Sequence, residues 1–386
     1  LKTPQSRQPH RHIARLGLLA AMVIVIAGAT LGCVGGLTPI GWSGGRVADG
    51  SLFVGSNQGR LVAINLTDDS RLWAEHLTSA SSGGLGCLPS MGGGCGGSTS
   101  VAIYGTPVVA NGLVYIAGYN GKIYAYNEDN LATRWVYPRE GNLDPFAGGL
   151  VTDGTNLYIG GADGNVYALD ALTGDWLWEY PTGDKIWATP TISDGVVYIG
   201  SFDKSLYAID AAAGTLKWSY PTEGTVVTTP LVADGVVYFG SFDRYLYAVN
   251  TADGSLKWRF QSQNWFWASP RLYNGVLYAG CLDNYVYVLD PASGEELASY
   301  DLDGQVSSTP VVVGDYVVFA TRKGVVYSIN TVSGELKQLA DFDTDVNGPL
   351  AAYEDIVYVH TSELALERIN VLTGAILSPI SLESQS

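Results

Sequence analysis

The sequence predicts an all-β fold, an eight-bladed β-propeller built from four-stranded antiparallel blades, and three observations predict it. The first is repetition. An Asp or Asn ends the third strand of each copy, at Asn65, Asn127, Asp170, Asp210, Asn250, Asp290, Asn330 and Asn370. An aromatic ends the second, at Phe53, Tyr115, Tyr158, Tyr198, Tyr238, Tyr278, Phe319 and Tyr358. From Asp170 onward the first column steps by 40 residues, so the chain holds eight copies. The second is local pattern: runs such as 196–199 and 206–209 are β-branched or aromatic and bounded by turn residues, which gives four short strands per copy. Asn120-Gly121 and Asp163-Gly164 read as hairpin turn pairs that accept positive φ. The third is burial. A single sheet of this size cannot cover both of its faces, so copies must stack, and radial stacking leaves no long free edge. With 24 Tyr, 10 Trp and 48 Gly in 386 residues, the composition favours strands and tight turns.

Taken in chain order, the first element is basic and then apolar. Arg7, His10, Arg11, His12 and Arg15 precede an uncharged run over 16–32, which ends at Cys33. A positive region ahead of a hydrophobic one is the export pattern. Two readings of residues 1–33 stand side by side. Ala29-Thr30-Leu31-Gly32-Cys33 resembles a bacterial lipobox, loosely, because Thr30 stands where leucine is usual; Cys33 is then the candidate lipidation site. Alternatively the run is an uncleaved membrane anchor, at the lower limit of length for a span. Both place residues 34–386 outside the cytoplasm, on the periplasmic or cell-surface face, held to the membrane by a lipid or an N-terminal helix. Few residues separate Cys33 from the first repeat at Trp42, so the body is expected to lie close to the membrane surface.

After the first copy comes a glycine-rich insertion over 79–100. Its Cys87 and Cys95 are a candidate disulfide, because an oxidising compartment favours that use of a pair in a short loop. Such a loop on a rigid scaffold is also a candidate lid or partner contact. Cys281 takes the place of Ser201 and Ser241 in neighbouring copies and reads as a buried small residue.

In the copies themselves, the Asp/Asn column suits a turn cap, since its side chain can bond the backbone ahead of the glycine that follows at Gly174, Gly214, Gly254, Gly294, Gly334 and Gly374. An indole near the start of the fourth strand, at Trp73, Trp135, Trp178, Trp218 and Trp258, is placed to wedge between neighbouring blades. The last three copies carry Ala298, Gln338 and Ser378 there, and those blades are expected to pack more weakly.

Charge excludes one class of partner. The formal net charge is -16, and the residues after Gly32 carry 17 bases against 37 acids, since Lys2, Arg7, Arg11 and Arg15 all lie before it. Such a surface repels phosphate backbones, so no nucleic-acid partner is expected.

Aligned on the Thr-Pro pair, the residue three before the proline position is Trp42, Tyr104, Phe146, Trp187, Val227, Trp267, Ser307 or Val346. The five aromatics lie on loops leading into the innermost strands. They form a candidate collar at the channel mouth, enlarged by Trp265 and Phe266, able to stack on a sugar, a quinone or a peptide aromatic. The alternative is that they plug the channel or pack between blades.

The spacing Ala208-Ile209-Asp210, Gly214 and Trp218 resembles the tryptophan-docking repeat of the pyrroloquinoline-quinone (PQQ) family, over roughly residues 41–386. The family includes quinoprotein dehydrogenases and BamB-like envelope lipoproteins. The dehydrogenase resemblance implies PQQ over a tryptophan, often beneath a disulfide of adjacent cysteines, with a carboxylate base and bound calcium. This sequence has no adjacent cysteine pair, no Cys-x-x-Cys-His and no calcium loop of clustered Asp and Asn, and only His76 and His360 remain in the body. No cofactor or catalytic residue is therefore assigned, and PQQ lacks supporting site residues. The BamB-like resemblance implies a non-enzymatic scaffold that holds envelope or membrane proteins. That is the expectation carried forward, with a PQQ-dependent oxidoreductase and a ligand-binding propeller as alternatives.

Overall fold

Five Asp-Gly or Asn-Gly pairs put both of their residues at positive φ, for example Asp194 at 50° with Gly195 at 71°, and Asn274 at 49° with Gly275 at 73°. This is the tight hairpin whose twist matches that of the flanking strands. Each joins the first two strands of a blade, as Thr191–Ser193 is joined to Val196–Gly200. Asn120-Gly121 and Asp163-Gly164 differ, because only their glycines take positive φ; they sit between second and third strands.

The computed structural model describes residues 41–56, 58–77 and 101–383. They form 32 strands in eight four-stranded sheets, each sheet made from four consecutive antiparallel strands. The blades run in chain order as 46–73, 108–137, 151–181, 191–221, 231–261, 271–301, 311–341 and 351–381. The first strand of each blade is innermost and the fourth forms the outer rim.

Between successive blades lies one apolar cluster. Val196, Tyr198, Leu206 and Ala208 of the fourth blade, for example, meet Val226, Val237, Phe239 and Val249 of the fifth. The ring closes in the same way, with Leu52, Val54 and Ile64 of the first blade against Tyr358, Leu366 and Ile380 of the eighth. No strand is exchanged across that seam. It is held by packing, by Arg368 against Asp69 at 2.9 Å, and by Arg71 donating to the Ser381 carbonyl at 2.6 Å.

The corner acids cap turns. The Asp170 carboxylate accepts the Leu172 and Thr173 amides at 2.9 and 2.8 Å, and Asp290 accepts those of Ala292 and Ser293 at 2.8 Å. The Ser293 bonds hold the Asp290 carboxyl below its usual range. Four of the corners then meet the indole of the preceding blade. Trp135, Trp178, Trp218 and Trp258 donate to the carbonyls of Ala171, Ala211, Thr251 and Pro291 at 3.1, 2.9, 2.8 and 3.0 Å. A Cβ on Gly214 would stand 2.6 Å from Trp178, so the glycine is required both for its φ of +67° and for the ring's approach.

Trp73 does not share this arrangement. In the other Trp-bearing blades a bulge in the outer strand pairs the indole residue with an alanine, as Trp218 with Ala208. The first blade has no such bulge. Trp73 pairs with Val62 instead and turns to the opposite face, towards the eighth blade. The corner it would have reached carries Leu131, not glycine, at φ 53° and fully packed.

The last three blades fill the missing indole's place in other ways, although the outer strand of the sixth buries no residue where Trp178, Trp218 and Trp258 are buried, and Glu367 and Arg368 are only half-buried in the eighth. Between the sixth and seventh, Leu302, Val306, Val317 and Phe319 are buried, and the Tyr300 hydroxyl reaches the Gly334 carbonyl at 2.9 Å. Between the seventh and eighth, the bulge shifts along the strand and Leu339 turns inward. The aromatic column also breaks here. Val318, paired with Val311, occupies the place held by Tyr278 and Tyr358, and Phe319 belongs to the next position.

Candidate functional site

Antiparallel order brings two sets of loops to one end of the propeller: those leading into each first strand and those between second and third strands. Backbone bonds tie them together, Phe202 N to Lys185 O at 3.0 Å, Phe242 N to Thr225 O at 2.9 Å and Leu282 N to Trp265 O at 3.0 Å. Carboxylates reinforce the joint. Asp203 accepts the Gly183 amide and the Tyr207 hydroxyl, both at 2.6 Å; Asp243 accepts Glu223 N at 3.0 Å and the Tyr247 hydroxyl at 2.7 Å; Asp283 accepts Gln263 N at 2.9 Å and the Tyr287 hydroxyl at 2.8 Å. Tyr167 bonds Asp163 in the same way. Burial, and then the carboxylate bond, push these tyrosines well above their ordinary range. In the sequence the pairs stand as an acid four residues before a tyrosine, a spacing that the strand columns do not contain. They are structural, since both oxygens of each acid have partners.

On this brace stand the collar residues, in two groups. Over the first two blades, Trp42 meets Tyr104 edge-on at 4.6 Å and Tyr104 meets Tyr119 at 5.3 Å. Burial pushes the Tyr104 hydroxyl up to about 12. Over the fourth to sixth blades, Trp187 meets Phe202 at 4.7 Å, and Phe242 stacks on Trp265 at 4.6 Å and on Trp267 at 5.6 Å. The Lys185 ammonium lies 4.7 Å from the Phe202 ring centre and 5.5 Å from that of Trp187. The rings of Trp42, Tyr104, Trp187, Trp265 and Trp267 are half-buried, so part of each faces solvent.

Phe146 is not among them. Strand register aligns it with Ile186 and Phe266, and both phenylalanines are fully buried between blades. The collar position of the third blade is Ala147. In the eighth it is Asn347, because Ala351 pairs with Tyr358 and places Leu350, not Pro349, in the proline column. The collar is therefore four aromatics with gaps, joined by Tyr119, Phe202, Phe242 and Trp265 from neighbouring loops.

Below these loops the innermost strands enclose a cavity of about 530 Å³ lined by Thr-Pro pairs, aliphatic residues, Arg46 and Arg271. Its lining includes no aromatic ring and no carboxylate. Among the described residues no three His, Cys, Asp or Glu side chains gather as a metal-binding group. Cys281 is buried, with its Sγ 3.3 Å from Trp265 O, and burial pushes its thiol up to about 12. Cys33, Cys87 and Cys95, and with them the lipobox and the whole insertion over 79–100, lie outside the described residues.

The model of the family described as outer membrane protein assembly factor BamB matches residues 26–186 and 181–377. The chain belongs to this family. Among curated relatives, BamB of Kangiella koreensis is 26% identical over 37% of this chain and 32% of its own length. BamB of Escherichia coli is 27% identical over 36% of this chain and 31% of its own length. The aligned stretch thus spans about a third of those BamB proteins. Among solved structures, BamB from Moraxella catarrhalis superposes with a TM-score of 0.62 at 18% identity, covering 82% of this chain and 90% of that one. The computationally designed Ika8 protein gives 0.68 at 14% identity, over 85% and 95%. At such identities both likenesses concern the fold, and a likeness to a designed protein shows how little of a propeller's shape depends on function.

Proposed function

We propose that this protein is a non-enzymatic, membrane-tethered scaffold of the cell envelope, acting as its BamB relatives are named, in the assembly of outer-membrane proteins. The observation that carries this reading is membership of the BamB family over nearly the whole propeller, joined to a half-buried aromatic surface at one end. Exposed rings on rigid loops supply large contact area at little entropic cost, which is how protein partners are anchored. The partners proposed are envelope or membrane proteins, and the location is extracytoplasmic. The export pattern at residues 1–33 supports tethering, by a lipid or by an N-terminal helix.

A PQQ-dependent oxidoreductase is the weaker reading. That cofactor would require a ring to stack on and a carboxylate base, and the residues lining the cavity offer neither. Asp203, Asp243 and Asp283 at the aromatic end are already engaged with backbone amides and tyrosines. Site-specific photocrosslinking in intact cells tests the proposal. A crosslinking residue at Val227, among the rings, is expected to capture an envelope protein, and one at Lys217, on the outer rim, is expected to capture none.

A further inference from the structure

The cavity inverts the charge of the molecule around it. Beyond Gly32 the chain carries 37 acids against 17 bases. Inside, two arginines line the wall and no acid does. Arg46 and Arg271 occupy equivalent positions, the first residue of the innermost strand in the first and sixth blades, where other blades carry Val108, Val151, Thr191, Leu231, Val311 and Ala351. Among the described residues neither guanidinium forms an ion pair, and none of the three ion pairs there touches the cavity. Both arginines are exposed to the cavity's solvent.

Hydroxyls add to them. Thr189 Oγ1 accepts the Gly149 amide at 2.8 Å and Ser269 Oγ accepts the Thr229 amide at 2.9 Å. A hydroxyl that accepts from a backbone amide keeps its own proton to donate, so both can give a hydrogen bond to a guest. The prolines beside them carry no amide. Two arginines without an acidic partner, two O–H donors and an aliphatic wall with no carboxylate form an environment for negative charge. A volume of about 530 Å³ lies within the usual range for small-molecule sites and is too small for a folded partner.

We infer that the central cavity binds a small polyanion, a compact molecule bearing carboxylate or phosphate groups, with Arg46 and Arg271 as its charged anchors. This site lies below the aromatic surface and does not depend on what that surface docks.

Calorimetric titration of the purified full-length protein at low ionic strength, with citrate in one arm and inorganic pyrophosphate in the other, tests the inference. Saturable binding of either probe is expected, and the stronger of the two identifies the anionic group preferred. The double substitution Arg46→Gln/Arg271→Gln is expected to weaken it by about tenfold or more, since each lost bond joins two charged groups. Lys217→Gln/Lys257→Gln on the outer rim removes the same charge and is expected to leave binding unchanged. Thermal melts of both double variants confirm that each is folded, and Arg46→Lys/Arg271→Lys, which keeps the charge, is expected to recover part of the affinity. Failure of both probes to bind the folded protein, or equal weakening in the two Gln variants, overturns the inference.

Discussion

At the scale of the residue, the corner glycines show how backbone and side chain share one constraint. Gly254 and Gly275 both have φ +73°, but a Cβ at Gly254 would lie 2.7 Å from the Trp218 ring, whereas at Gly275 nothing stands within 4 Å. Gly275→Ala is therefore expected to cost only the left-handed penalty of about 1–2 kcal/mol. Gly254→Ala should add about 1–3 kcal/mol for overpacking. Urea denaturation of the two variants distinguishes them, and equal midpoints would show that the indole does not depend on the glycine. The same scale shows where sequence reading stopped. Trp73 and Trp218 stand at the same distance from their Asn or Asp, yet face opposite ways, because a bulge between strands decides the face and spacing does not record it. Phe146 and Trp187 shared a column when aligned from the proline, and one residue of slippage in a copy without proline moved Phe146 into the core.

At the scale of the element, the blade was legible because its signals are local and repeated: the turn glycines, the corner cap and the alternation of buried positions agree in copy after copy. Substitutes were harder to see. Tyr300 lies two residues beyond the missing indole of the sixth blade, and its hydroxyl takes over the bond to the next corner. Tyr300→Phe is expected to destabilise the protein by about 0.5–1.5 kcal/mol. A chemical denaturation midpoint unchanged from the parent would mean that ring packing alone holds the joint between the sixth and seventh blades. The aromatic surface was legible only in part, since Phe202, Phe242 and Tyr119 come from a different loop and meet the collar through tertiary contacts that no single-copy pattern contains.

At the scale of the whole molecule, the ring closes without exchanging a strand, so the seam between the first and eighth blades rests on side chains. His360 lies fully inside it, its Nδ1 2.8 Å from the Ser43 carbonyl and its Nε2 without a partner among the described residues. Burial lowers its affinity for a proton below the ordinary 6.5. The unfolded chain therefore takes up a proton first as pH falls. Stability contributed by the neutral ring is fully present above about 6.5 and declines below it until the folded state also titrates. Melts across this range should show that decline, and His360→Gln should flatten it; an unchanged slope would place the pH dependence elsewhere. The function proposed also belongs to this scale, because a rigid ring holds both aromatic groups on one end. Its most direct test is crosslinking from Val227 in intact cells, repeated with Trp187→Ala/Trp267→Ala. Capture of an envelope protein that is lost in the double variant is the result expected, while capture that survives it, or that occurs equally from Lys217 on the rim, would contradict the assignment of the aromatic end as the docking surface.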